Sequence, residues 1–515
     1  MTTSDSIEPQ AIPSPSPQGL ASQLRWLGIM RGISMVALLT LPLILTRMMG
    51  PGGYAPFAYI LSLIAVAQQL PGGIGLDGAL PRFLARAHSH KQETAIPGLL
   101  RFCFGVRGVV LAGCVLVLAV MYSAKSDIFL DSRVILLAVA MAVVLRGMGL
   151  HLSLVAYGRG QALLYLSYDF IFDLVRLFAQ PIAYVFWGFE GLVMTFAVCY
   201  AVPLVHGLWR SAATLRNYFA LPPPPSDAPW RSSYSPSAMF RFGVPMWLSE
   251  SLRRLRGNIG VLMIAFFLGK TAEAVGFFSL AVALLGLFNL LVSSLLAATY
   301  SRMAGEFDRE RPDQVGELVS GISKFLLLAA VPLGWIFLLL SPWAIELVMP
   351  GFGEVGRCLQ VLAPLAVVIA VELPMLQASV AVHQTGLQLR QAVVNLAAFA
   401  IAFPLFLILA RENDWSPSRA ASVAYLIAAC LSVTDFVWTL LRRMDLSLRW
   451  GTLIRQVALS VVFAPLLLAP PVWRLVLGAP ILVVWLALQT KTGILSKYDW
   501  KFILSLAGWK RTATE

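Results

Sequence analysis

The sequence has few charged residues and few histidines, and each shortage excludes a class of protein. Only 13% of its 515 residues are charged, which is too few to cover a soluble globule of this size. The five histidines show no ligand spacing, and neither GxSxG nor HExxH occurs, so nothing indicates a serine hydrolase or a zinc protease. We therefore expect no catalytic residues, no metal and no cofactor.

Cysteine is equally scarce, and no nucleotide-binding or nucleic-acid-binding pattern is present. The five cysteines lie in apolar runs without a CxxC pair, so neither a disulfide framework nor a metal site is predicted. Residues 73–78 match GxGxxG, but no strand precedes them, and a turn at a helix end is the interpretation. The net charge is +13, but the basic residues are scattered along the chain and form no single basic face. Nucleic acid is therefore not an expected partner.

Long hydrophobic runs are what the sequence does contain. Hydrophobic residues make up 58% of the chain, and the runs recur from Leu27 to the end. A bilayer core of about 30 Å needs roughly 20 apolar residues per helical crossing. Only helices or closed barrels satisfy the backbone in lipid, and the alternating segments of a barrel are not found. The sequence predicts an all-α polytopic membrane protein.

The runs predict fourteen transmembrane helices. Their approximate ranges are 27–46, 57–76, 102–122, 134–156, 163–187, 191–209, 243–267, 275–297, 325–349, 359–382, 392–410, 420–441, 453–469 and 472–489. Most of the 39 Lys and Arg residues then fall on the side of the termini. Since cytoplasmic loops are rich in Lys and Arg, both termini are predicted to be cytoplasmic in a bacterial-type inner membrane.

Polar segments divide the chain. Residues 1–24 are expected to be a disordered cytoplasmic tail, not a cleaved signal peptide. A Pro-rich cytoplasmic linker is predicted at 211–238, because the tract 222–225 is four consecutive prolines that cannot continue a helix. It separates an N-terminal lobe from a C-terminal lobe, two accessory helices and a basic cytoplasmic tail. These predicted segments are 25–210, 239–442, 443–490 and 491–515 respectively.

Motifs in both halves carry a family resemblance. The motifs are Arg47-Met48-Met49-Gly50-Pro51-Gly52-Gly53-Tyr54, Gly75-Leu76-Asp77-Gly78-Ala79-Leu80-Pro81-Arg82, Phe242-Gly243-Val244-Pro245, Leu268-Gly269 and Val275-Gly276-Phe277. In order and spacing the chain resembles the polysaccharide-export branch of the MOP flippase superfamily, the Wzx-type O-antigen flippases and their relatives. It departs from them at Ala55, where a glycine is usual, and in a longer second turn.

The resemblance implies a MATE/MOP-like fold of two pseudo-symmetric six-helix lobes plus two C-terminal accessory helices. The lobes are expected to open a central cavity alternately to either side of the membrane. The implied cargo is an oligosaccharide on polyprenyl pyrophosphate, flipped for O-antigen, capsule or exopolysaccharide assembly. Expected partners are this substrate, membrane lipids, and the polysaccharide polymerase and export machinery.

Ionisable residues inside spans are the candidate site residues, because each costs about 2.5–3.5 kcal/mol on insertion scales. Arginines on the first helix of each half are predicted to line the cavity and hold a pyrophosphate or an acidic sugar, with one glutamate offsetting part of their charge. These residues are Arg31, Glu250, Arg253, Arg254 and Arg256. The alternative is that some snorkel to the interface or pair between helices.

The remaining embedded acids leave two interpretations open. Asp169, Asp173 and Arg176 share one helix face and form either an ion-pair cluster between helices or a cation-coupling site. Glu372 and Asp435 have two possible roles. Each either binds a coupling proton or sodium ion, or forms a hydrogen bond between helices.

Two other functions compete with the flippase hypothesis. A cation-coupled multidrug-type antiporter would favour acidic residues in the cavity. An integral-membrane glycan polymerase or ligase would be expected to expose a long periplasmic loop, whereas the predicted outside loops are short. The sequence favours the flippase, without covalent chemistry of its own.

Overall fold

The computed structural model describes residues 17–69, 75–159, 161–222, 234–308, 312–381, 384–444 and 448–496, and these residues are almost entirely helical. The α-helices in chain order are α1 Pro17–Ala67, α2 Leu76–Ser89, α3 Ile96–Ala124, α4 Arg133–Gly158, α5 Ala162–Phe219, α6 Pro236–Leu268, α7 Glu273–Asp308, α8 Pro312–Val348, α9 Gly353–Leu362, α10 Pro364–Ala381, α11 Thr385–Glu412, α12 Pro417–Met444, α13 Trp450–Ala458 and α14 Pro471–Lys491. Short 3₁₀ segments lie at Glu93–Ala95, Ser126–Phe129 and Leu459–Leu468.

Every predicted span overlaps a described helix, and the predicted fold class is confirmed. Within the described residues, nine helices are long and apolar enough to cross a membrane, or ten if the bent pair α9 and α10 is one span. The count is below fourteen because α1 and α5 each contain two predicted spans, and because α6 and α7 contribute shorter apolar pieces, Gly257–Leu268 and Glu273–Asn289.

Two glycines allow α1 and α5 to hold two spans each. Gly50 has φ 65° and ψ 178°, and Gly188 has φ 63° and ψ −150°. Both lie in the positive-φ region that glycine adopts without steric cost. The chain therefore bends inside each long helix while its residues on both sides remain helical.

Burial differs strongly between the spans. In the most apolar stretch of α12, 56% of the residues are buried. In the corresponding stretch of α14, only 6% are buried. Helix α12 therefore belongs to a packed core. The exposed valines and leucines of α14 are those of a helix that presents most of its surface to lipid, where apolar side chains need no further cover.

Packing divides the chain into two units. Unit 1 comprises the described residues up to Leu45 and those from Ile60 to Leu255. Unit 2 comprises Thr46–Tyr59 and the described residues from Arg256 onward. The lobe boundaries inferred from hydropathy, at 25–210 and 239–442, stay a prediction.

Helices extend into the segments that hydropathy assigned to tails and linker. Helix α1 begins at Pro17, and α5 continues to Phe219 before α6 begins at Pro236. Hydropathy marks only the apolar part of a helix, so the polar turns at its ends were assigned to the neighbouring segment. Of the predicted linker, residues 223–233 lie outside the described residues, as do 1–16 and 497–515 of the predicted tails.

Two of the family motifs meet inside unit 1. Gly75, with φ 93°, precedes α2 and lies directly against Gly243 of α6. A Cβ on Gly75 would lie 2.0 Å from the carbonyl carbon of Gly243. Arg82 then places its guanidinium 4.2 Å from the ring centre of Phe242, and the indole of Trp247 donates to the carbonyl of Gln69 at 3.1 Å. The two motifs are thus the two sides of one close backbone crossing.

Two more of the family motifs meet inside unit 2. Tyr54, just after the bend in α1, packs edge-on against Phe352 with ring centres 6.1 Å apart, and Phe277 does the same at 5.8 Å. A Cβ on Gly276 would lie 3.3 Å from the ring of Tyr54. The guanidinium of Arg47 donates to the carbonyl of Val348 at 3.1 Å. The first-turn motif is therefore a packing surface for α7 and for the turn between α8 and α9.

Gly243→Ala is expected to destabilise the protein, because the new Cβ would lie 2.2 Å from the carbonyl oxygen of Gly75. Overpacking costs about 1–3 kcal/mol, so the melting temperature of the purified protein in detergent should fall by several degrees. Gly105→Ala is the matched control, since a Cβ there meets nothing within 4 Å. Equal melting temperatures for both variants would contradict this role of the crossing.

Candidate functional site

Polar side chains from three membrane-spanning helices of unit 1 come together, and we call them the polar cluster. The carboxylate of Asp173 on α5 lies close to the hydroxyl of Ser34 on α1. It lies within electrostatic reach of Arg31, Arg176 and Asp169. The cluster comprises Arg31, Ser34, Arg146, Asp169, Asp173, Arg176, Gln180 and Tyr200. The structure thus places Arg31 beside the acidic residues that hydropathy had assigned to a separate site.

Arg176 is held by an amide and by aromatic rings. Its Nε donates to Oε1 of Gln180 at 3.0 Å, and its guanidinium lies 5.4 Å from the ring centre of Phe196 and 5.9 Å from that of Phe172. Among the described residues, neither Asp169 nor Asp173 forms a direct ion pair with Arg176. Cation–π contacts hold an arginine in place while its formal charge remains.

Arg146 joins the cluster from α4. Its guanidinium lies 5.6 Å from the ring centre of Tyr200 and within electrostatic reach of Asp169. Tyr200 stacks on Phe172 with ring centres 4.4 Å apart, and its hydroxyl donates to Oε1 of Gln68 at 3.4 Å. Since Phe172 and Tyr200 lie on opposite sides of Gly188, this stack connects the two halves of α5.

Sequence reasoning found only part of the cluster. The sequence analysis did not assign Ser34, Arg146, Gln180 or Tyr200 to the site. Gln180 carried a usable signal, since it follows Arg176 by one helical turn inside an apolar run. Tyr200 carried none, because its position beside Arg146 depends on how α4 and α5 pack.

The other predicted cavity residues lie on α6. All four residues, Glu250, Arg253, Arg254 and Arg256, lie within this helix, as the sequence predicted. Their side chains fall outside the described part of the structure, so their role in the cavity stays a prediction.

The two predicted acids of unit 2 both contact α11. Glu372 is buried and accepts a hydrogen bond from the amide of Gln391 at 2.7 Å. Asp435 accepts two hydrogen bonds from Arg390, at 2.6 and 3.0 Å. One turn from Gln391, Asn395 donates to Ser432 at 2.7 Å. For both acids, this geometry favours hydrogen bonding between helices over binding of a coupling ion.

A buried ion pair in unit 1 has the character of a structural contact. Arg107 on α3 is only 1% exposed and pairs with Asp77 in the first turn of α2. A charge so deeply buried requires a partner, since the low-dielectric interior would otherwise penalise it heavily. The pair fixes α2 to α3 beside the crossing of Gly75 and Gly243.

The family described as "Polysaccharide biosynthesis protein" matches residues 21–304, more than half of the chain. The chain belongs to this family. The resemblance predicted from the sequence is thereby confirmed at the level of this family. No curated protein matches the sequence.

Solved transporters share the fold. The structure titled "Lipid II flippase MurJ, inward closed conformation" is 10% identical, with a TM-score of 0.62, and the match covers 92% of this chain and 100% of that one. A mutant of the Vibrio cholerae MATE transporter VcmN is 14% identical, with a TM-score of 0.59, and the match covers 83% and 98%. A multidrug resistance MATE transporter of the MOP superfamily, inward-facing, is 14% identical, with a TM-score of 0.57, and the match covers 81% and 98%.

At these identities the structural likeness shows the fold alone. These structural neighbours are themselves transporters, and a transporter is the class of protein that the sequence predicted.

Glu372→Gln is expected to leave thermal stability and polysaccharide export unchanged, because a glutamine oxygen can still accept from Gln391. Glu372→Leu is the contrasting variant, since it leaves the buried amide of Gln391 unpaired, at a cost of about 1–3 kcal/mol. Melting temperature in detergent and complementation of an export-deficient strain measure the two effects. Normal folding with lost export in Glu372→Gln would instead make the ionised carboxylate functional.

Proposed function

We propose that this protein is a flippase that moves a polyprenyl-pyrophosphate-linked oligosaccharide across the inner membrane for surface polysaccharide assembly. The observation that carries the proposal is the composition of the polar cluster. It contains three arginines, Arg31, Arg146 and Arg176, against two aspartates, Asp169 and Asp173. A positive surplus inside membrane-spanning helices suits a negatively charged cargo.

The chemistry of arginine supports an anionic cargo. A guanidinium stays ionised and donates two parallel hydrogen bonds, which match the paired oxygens of a phosphate. Holding such a charge within a span costs a few kcal/mol, so its retention needs a reason. Recognition of a pyrophosphate head is that reason in this proposal.

The residue roles follow from the same reasoning. Arg31 binds the pyrophosphate or an acidic sugar together with the basic residues of α6. These proposed α6 residues are Arg253, Arg254 and Arg256, with Glu250 offsetting part of their charge. Asp169 and Asp173 position the arginines of unit 1 by attraction.

The proposed cycle is alternating access, without covalent chemistry. The large polar head moves through a protein cavity because it cannot cross lipid, and the two leaflets are those of the inner membrane with both termini cytoplasmic. The polysaccharide polymerase and the export machinery are the proposed downstream partners.

Arg31→Gln is expected to reduce polysaccharide export about tenfold or more at a normal protein level, since loss of one charge-assisted contact to phosphate is worth about 1.5–3 kcal/mol. Arg253→Ala combined with Arg256→Ala should do the same. Arg31→Lys should fall between, because lysine keeps the charge but not the paired donors. Arg133→Gln, which removes an exposed arginine at the start of α4, is the control.

The measurement is complementation of a flippase-deficient strain, scored as surface glycan per unit of protein in the membrane. Normal export by both Arg31→Gln and the double α6 variant would end the assignment of these arginines to the cargo.

A cation-coupled antiporter is the second candidate, and Asp169 and Asp173 favour it. Both acids are half-buried in α5, and within the described residues neither is neutralised by a direct ion pair. If this candidate is right, proteoliposomes will expel a cationic dye in a proton or sodium gradient, and Asp173→Asn will abolish the efflux. The flippase proposal expects no gradient-driven dye efflux from the wild type or from the variant.

A further inference from the structure

A groove of about 510 Å³ lies on unit 1 between α3, α4 and the second half of α5. Its walls are apolar and include Phe104 of α3, Leu152 of α4 and Leu204, Leu208 and Phe219 of α5. Arg101 is the one charged residue among those that line it. None of the groove residues belongs to the polar cluster, so the groove is separate from the proposed cargo site.

The groove runs along the helix axes from a polar end to an apolar one. On α5 its lining extends from Phe219 back to Leu204, which at 1.5 Å per residue is about 22 Å. Half of a bilayer core measures about 15 Å. The groove is therefore long enough to hold an acyl chain of one leaflet together with its headgroup.

Arg101 lies at the polar end, at the level where α5 ends. It is exposed, and its guanidinium lies 5.9 Å from the ring centre of Phe219, the last residue of α5. It forms no ion pair with any other described residue. Arg216, one turn before Phe219 on the same helix, is also exposed, so a second positive charge lies near this end of the groove.

We infer that the groove binds an anionic phospholipid, with one acyl chain along the apolar wall and the phosphate against Arg101. The apolar lining suits a hydrocarbon chain, and a guanidinium donates paired hydrogen bonds to phosphate oxygens. Basic residues at the membrane surface attract anionic lipid by about 1 kcal/mol each. A single lining arginine matches a phosphodiester with one negative charge better than a pyrophosphate, which favours a membrane phospholipid over the lipid-linked cargo.

Occupancy would stabilise the helices that carry the polar cluster. The groove joins α4, which holds Arg146, to the half of α5 that holds Tyr200. A ligand that binds only the packed arrangement of these helices stabilises that arrangement by an amount that grows with the logarithm of the ligand concentration above the Kd. The lipid is thus expected to raise the melting temperature of the whole protein.

The test uses purified full-length protein in detergent, titrated with phosphatidylglycerol or with phosphatidylcholine and followed by native mass spectrometry and thermal unfolding. Arg101→Gln removes the phosphate contact, Arg101→Lys retains its charge, and Leu208→Trp fills the groove from an exposed position. Arg133→Gln is the matched control, because Arg133 is an exposed arginine at the opposite end of α4.

We expect Arg101→Gln to bind phosphatidylglycerol about tenfold more weakly and to lose its preference over phosphatidylcholine. Arg101→Lys should keep most of the preference, Leu208→Trp should weaken both lipids, and Arg133→Gln should equal the wild type. Wild-type binding by Arg101→Gln or by Leu208→Trp would overturn the inference. Displacement of bound phosphatidylglycerol by a polyprenyl phosphate would overturn it as well, by assigning the groove to the cargo lipid.

Discussion

Lipid offers no hydrogen bonds to a peptide group, and this constraint underlies the structure of the described chain. Each span must satisfy its own backbone and is therefore a helix. The same constraint acts on side chains, because a polar group inside a span gains from a partner within the protein, often on a neighbouring helix. Glu372 with Gln391, Asn395 with Ser432, and Asp77 with Arg107 are such pairs. Apolar side chains need no such partner, which is why α14 can leave almost all of its surface exposed.

Glycine decides where these helices bend and where they approach closely. Gly50 and Gly188 bend α1 and α5 in conformations that other residues rarely adopt. Gly75 and Gly243 bring two backbones closer than any Cβ would permit. Four of the five motifs that suggested the family therefore have a structural explanation, since they pack against one another in pairs. None of these contacts requires a ligand. The glycine motifs therefore carry information about the fold and not about what the protein binds.

The sequence predicted the spans well, because hydropathy is a local property that each segment carries by itself. The helix ends were harder to predict from the sequence. Helix α5, for example, continues to Phe219 through polar residues that hydropathy does not assign to a span. Only part of the candidate site could be predicted from the sequence. Asp169, Asp173 and Arg176 share a face by helical spacing alone, whereas the approach of Arg31 to Asp173 and of Arg146 to Tyr200 depends on how three helices pack. The groove beside Arg101 had no signal in the sequence, because its lining comes from three separate helices.

The way in which the arginines are held bears on what the cluster can bind. A direct ion pair would cancel the charge of Arg176 and leave little attraction for an anion. Its contacts in the described structure are instead a neutral amide and two ring faces, and Arg146 likewise lies over the ring of Tyr200. Rings and amides orient a guanidinium without neutralising it. Because the low dielectric of the interior strengthens each charge interaction, arginines that are oriented in this way and not directly ion-paired with another described residue would attract a phosphate more strongly than the same side chains on a solvated surface.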